Sequence, residues 1–232
     1  MKKKITSFMV LLLVANILLG NTLYTNVAEN DMLCIEVDGL QFTSAEYTQS
    51  DYSYAKRYEG ENIIVDILNH EKECVETLTI YPEEKMESKN RASGTYVQRS
   101  YKNQKSAKVG IVTVCKIEND VLLQIYSSGS FNQIEAVLSN EVHKADGFST
   151  MQIVGNPVTS AISSTGKFPS TSVDCYYHAT CEGSIDVGVN LGVTADVGIE
   201  KLKDAGFEVT GSLGTTIYYT KNVSGSWNVS VM

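Results

Sequence analysis

In CYYHATC, Cys175, His178 and Cys181 stand at intervals of three, two thiols and an imidazole of the types that hold zinc or copper. The spacing is not that of a zinc finger, and no second close pair of ligands follows, so no metal site is expected here. A short disulfide loop is the simpler reading, and it makes Cys175–Cys181 the expected pair. The chain has five cysteines, Cys34, Cys74, Cys115, Cys175 and Cys181, and the odd count leaves at least one thiol outside any internal bridge.

The other histidines are His70 and His143. A Cys115–His143 nucleophile would need thiol and imidazole at hydrogen-bond range, which their spacing does not establish. Glu118, Asp120, Asp174 and Asp186 could contain the carboxylate pair of a glycosidase, or could be solvated charges along strand edges. No G-x-S-x-G elbow, H-E-x-x-H helix, P-loop or calcium loop occurs in the sequence. No catalytic residue and no cofactor is therefore expected.

These residues need elements to position them. MKKKITSFMVLLLVANILLG places three lysines before an apolar run from Ile5 to Leu19, the build of a secretory signal, and the run is too short for a membrane-spanning helix. Residues 1–28 are expected to be that signal, giving a secreted, extracellular protein. Of 232 residues, 204 then remain, with 16 basic residues left of 19 against 27 acids. That balance lacks the basic footprint of nucleic-acid binding and points away from anionic lipid headgroups.

LCIEVDGLQFTS reads as two strands about a turn at Asp38-Gly39. Asn62–Pro82 reads as a second hairpin with His70 at its turn, although Ile64, Ile67 and Leu68 also fit helical spacing. Between the two, Tyr47, Tyr52, Tyr54 and Tyr58 lie in a polar stretch that suits either a carbohydrate-contact surface or an edge with half-buried rings. Residues 29–82 are thus expected to form a small β or α+β segment, or a pro-segment, followed by a charged linker at 83–94. From 95 to 232, short apolar runs separated by Gly, Ser, Asn and Asp predict an all-β fold, an antiparallel β-sandwich. Asn132–Gly147 could be a short helix or another hairpin, and Trp227 alternates with Val229 and Val231 as a core residue. Asn222 and Asn228 begin N-V-S triplets, formal glycosylation acceptors.

Ile185, Val187, Val189, Leu191, Val193, Ala195, Val197 and Ile199 fill successive odd positions, with polar residues and glycines between them. Period two predicts a strand with one apolar face. Phe207, Val209, Leu213 and Ile217 keep the same parity after EKLKDAG, which predicts a long amphipathic hairpin. A competing pattern places a helix after Val193, with Thr194 as N-cap, Asp196 in the first turn, late lysines, and Gly206 as a left-handed C-cap.

GVNLGVTADVGI and TGSLGTTIYYT resemble the insertion hairpins of aerolysin-type β-pore-forming toxins. The resemblance implies oligomerisation and insertion of a hairpin around 184–220 into a membrane, through Ile185, Val187, Val189, Leu191, Val193, Phe207, Val209, Leu213 and Ile217. The function expected first is a secreted, non-enzymatic module binding an extracellular protein or glycan. The toxin-like reading and a secreted hydrolase are the alternatives.

Overall fold

The computed structural model describes residues 31–86, 94–146 and 151–232. The expected signal, 1–28, lies outside them, as do residues 87–93 of the expected linker. The described chain is mostly β, folded as two antiparallel sheets packed together in the manner of a β-sandwich.

The first hairpin pairs β1 (Met32–Val37) with β2 (Leu40–Thr48) about Asp38 and Gly39, both at positive φ, as a tight turn matching strand twist requires. Strands β3 (Ser53–Glu59), β4 (Asn62–Leu68) and β5 (Cys74–Ile80) follow as a meander, so Asn62–Pro82 does form the expected hairpin. A short β6 (Glu84–Lys85) precedes three long strands, β7 (Thr95–Val109), β8 (Val112–Ser128) and β9 (Phe131–Lys144). Asn132–Gly147, expected as a helix or hairpin, instead supplies most of the single strand β9. The chain then crosses to β10 (Met151–Ser163) and β11 (Ser172–Asp186), passes two short helices, and returns through β12 (Glu208–Leu213) and β13 (Thr216–Val231).

One sheet runs β1-β2-β13-β11-β10, with β12 beside β13; the other runs β3-β4-β5-β7-β8-β9, with β6 beside β7. Strand β13 pairs with β11 along one side, and its other side is divided between β12 and β2. Two ladders, β5 on β7 and β2 on β13, cross the division drawn at 83–94 in the sequence. Asp31–Met232 forms one compact unit.

The stretch after Asp186 is helical where the parity predicts a strand. Helix α1 (Val187–Leu191) starts at Asp186, whose side chain accepts the Val189 N–H at 3.1 Å, and ends at Gly192 with φ 64°. Helix α2 (Ala195–Asp204) has Thr194 as N-cap, Asp196 in its first turn and Lys201 and Lys203 in its last, and Gly206 follows at φ 75°. Capping chemistry and two glycines in left-handed conformation outweigh an apolar period of two, which belongs to a strand. Leu202 and Gly198, four residues apart, form the buried stripe of α2, and Gly198 lies against Val187.

Two apolar clusters fill the space between the sheets. The first gathers Ile35, Phe42, Val65, Leu78, Leu123 and Trp227. The second gathers Ile117, Ala179, Leu202, Phe207, Ile217 and Tyr219 under the helices. Between them, buried positions carry polar groups or no side chain: Glu76, Asn103, Asn119 and Gly225. The sandwich therefore has a polar waist.

Candidate functional site

Glu76 sits in the waist, fully buried on β5. Tyr47 on β2 donates its hydroxyl to Oε2 at 2.5 Å, and Trp227 on β13 donates its indole N–H to Oε1 at 2.7 Å. Lys105 Nζ is 4.0 Å away and also binds Glu46 at 2.5 Å and the Ser224 carbonyl at 2.8 Å. Burial raises the Glu76 carboxyl, and the Lys105 charge and the two hydrogen bonds offset part of that rise. Tyr177 lies over Gly225, where an added Cβ would fall 2.4 Å from its hydroxyl. The Tyr177 hydroxyl and the Asn103 carboxamide have no hydrogen-bond partner among the described residues. A buried carboxylate held by two donors joins the sheets at this level, a structural use of the group.

A cluster of titratable groups lies on the outer face of β7–β9. Glu118 is opposite Gln104 and His143 in the ladders, and Asp120 is opposite Lys102 and Glu141. His143 Nε2 is 3.3 Å from Glu118 and 3.5 Å from Asp120, and Lys102 Nζ is 2.7 Å from Glu118 and 3.9 Å from Asp120. Burial alone would raise the Glu118 carboxyl, but the Lys102 and Gln104 hydrogen bonds and the Lys102 and His143 charges bring it below the ordinary value. Asp120 moves the other way, raised by burial and by Glu118 and Glu141 against Lys102 and His143. Two carboxyls pushed apart beside an imidazole can exchange protons, yet they stand on a sheet face where their main partners are each other. Asp174 and Asp186 are elsewhere: Asp174 accepts from Asn228 at 2.8 Å, and Asp186 caps α1.

Period two explains the thiols. Cys175 and Cys181 both point inward from β11, whereas His178, an odd number of residues from each, faces outward. The expected Cys175–Cys181 disulfide is not formed, and all five cysteines are free thiols. Along an extended strand their Cα atoms are about 20 Å apart, far beyond the ~4.4–6.8 Å that a disulfide allows. Cys115 also points inward, while His143 is on the outer face with Glu118, so the two do not form a nucleophile pair. His70 is an exposed turn residue 3.3 Å from Asp51.

The residues proposed to insert into a membrane are dispersed. Ile185 ends β11; Val187, Val189 and Leu191 lie in α1, and Val193 links the helices. Phe207 follows α2, Val209 and Leu213 are in β12, and Ile217 is in β13. Ile185, Val187, Phe207 and Ile217 are core, while Val189 and Leu213 are 83% and 73% exposed. Of the tyrosine-rich stretch, Tyr47 is buried against Tyr52, while Tyr54 and Tyr58 are exposed on β3.

Sequence reasoning did not find the concave surface at the opposite end of the sandwich. A depression of about 200 Å³ there has Leu40, Val97, Ile125 and Val231 as apolar lining and Asp38, Glu83, Arg99, Ser127 and Asn132 as polar lining. It shares Glu83, Val97 and Ser127 with a second hollow of about 540 Å³, which adds Lys85, Gly94, Thr95 and Ser128. Buried Arg99 donates to the backbone oxygen of Asp38 and, at 2.7 Å, to its carboxylate, which fixes one wall. Tyr126 packs over Gly94 and stacks at a tilt on Tyr96, ring centroids 5.1 Å apart. Leu40, Val97 and Ile125 are buried beneath it, so its exposed lining is mainly polar, with donors and acceptors of both kinds that suit a hydroxyl-bearing ligand. No family model, no curated protein and no solved structure matches this chain.

Proposed function

We propose that the protein is a secreted, non-enzymatic β-sandwich that binds a glycan of an extracellular partner in the depression between Asp38, Glu83, Arg99, Ser127 and Asn132. The observation that supports this reading is the mainly polar lining, with donors and acceptors of both kinds, on a wall fixed by the Arg99–Asp38 pair. Glycan-array screening followed by calorimetric titration tests it. The expected result is binding that Ser127→Trp abolishes and that Val189→Ser, at the far end, leaves unchanged. Binding indifferent to Ser127→Trp would move the site elsewhere.

A second reading, contact with a membrane, is favoured by the exposure of Val189 on α1 and Leu213 on β12. Release of calcein from neutral liposomes, abolished by Val189→Ser together with Leu213→Ser, is the outcome it requires.

A further inference from the structure

The cluster under the helices holds Cys115 together with Cys181, a pairing other than the expected Cys175–Cys181. Cys115 is on β8 in one sheet and Cys181 on β11 in the other; neither is exposed, and both belong to the cluster under the helices. Cys181 is opposite Lys221 in the β11–β13 ladder, and two residues along β13 the Tyr219 hydroxyl spans the sheets to the Val114 carbonyl at 2.7 Å. That bond brings the backbone beside Cys115 against the strands around Cys181. Strands β8 and β11 approach to Cα separations within 8 Å, the two thiols share one apolar cluster, and their mutual interaction is the largest influence on the ionisation of each.

We propose that Cys115 and Cys181 are a modification site, a dithiol between the sheets that closes to a disulfide when the chain folds in the presence of a disulfide oxidant. Either thiolate attacks one sulfur of the oxidant disulfide and expels one thiolate. The thiolate of the other cysteine then attacks the protein sulfur of the mixed disulfide and expels the second. One Sγ–Sγ bond forms and one oxidant S–S bond breaks; two electrons pass to the oxidant, and the two protons leave on its thiols. Since both groups are sealed in the folded core, the exchange belongs to the stage at which this core assembles.

The odd count of cysteines is then accounted for. Cys34 accepts from Gln41 at 3.0 Å, Cys74 hydrogen-bonds within its own hairpin to Thr77 at 3.4 Å, and Cys175 is buried in the other apolar cluster. One bridge and three thiols placed elsewhere make five.

The test is to unfold the chain, refold it with reduced and oxidised glutathione, alkylate it, and digest it with trypsin and chymotrypsin. Lys108 and Lys116 bracket Cys115, and Tyr176 and Tyr177 separate Cys175 from Cys181. Mass spectrometry should find the Val109–Lys116 peptide joined to the peptide that starts at His178, two hydrogens lighter than their sum, with Cys34, Cys74 and Cys175 alkylated. Reductant should lower the melting temperature of this oxidised protein and leave that of the reduced protein unmoved. Five alkylated cysteines in the correctly folded protein, or a bridge between any other two, would overturn the proposal.

Discussion

Glu76 and Trp227 meet across the sandwich, carboxylate to indole N–H at 2.7 Å, from strands in different sheets whose residues are 151 apart in sequence. Glu76→Ala would leave the Trp227 and Tyr47 donors buried without an acceptor, at an expected cost of about 3 kcal/mol in urea unfolding at pH 7. Glu76→Gln keeps an acceptor for the indole and a donor for Tyr47, and should cost about 1 kcal/mol or less.

The same carboxyl sets a pH dependence. Its value is raised in the fold, so the unfolded chain releases this proton first. Stability should fall as pH climbs from about 4.3 into the raised value, and Glu76→Gln should remove that part of the decline. Unfolding at half-unit pH steps reads it.

On the outer face the sign reverses. Glu118 is held below its ordinary value, so its contribution is present above about pH 4.3 and lost as pH falls. Lys102→Met removes the nearest cation, 2.7 Å away, and should destabilise by about 1 kcal/mol at pH 7 after allowance for solvent screening. The two proteins should converge near pH 3, where the carboxyl is protonated in both.

The two inward tyrosines of the waist should respond differently. Tyr47→Phe removes a donor from Glu76 and should cost about 1–2 kcal/mol. Tyr177→Phe removes a buried hydroxyl with no partner among the described residues and should be neutral or stabilising by up to about 1 kcal/mol. Matched urea titrations decide between them.

At the helices, Gly198→Ala gains about 1 kcal/mol of intrinsic helix preference. The new methyl, however, would fall 2.7 Å from both Val187 γ-carbons and 2.8 Å from its β-carbon, a stiff neighbour. Net destabilisation of about 1–2 kcal/mol is expected, with helical circular dichroism lost before the β signal.

The antiparallel β character and the Asp38-Gly39 turn were legible because they depend on neighbours in sequence. The segment from Ile185 to Ile199 has the period of a strand, which in a helix scatters its apolar residues around the axis, and capping overrode it; Thr194 and Gly206 were the better signal, and Asp186 and Gly192 complete the set. Glu76 had a faint signature of its own, because it shares parity with Leu78 and Ile80 and so faces the core. Its partners could not be found that way, since Tyr47 and Trp227 reach it only through the packing of two sheets. The Cys175–Cys181 expectation failed for a related reason: closeness along the chain becomes distance once the chain is a strand.

Strand β13 lies between β11 and β2, with Val231 opposite Leu40. A chain emerging from the ribosome therefore carries its first hairpin without that neighbour until almost the whole described sequence has been made. Assembly waits on its most distant segment, which makes closure slow and the growing chain loosely structured. The first hairpin acquires its neighbour only when the last strand arrives, and a chain cut short before β13 would leave β2 with an open edge.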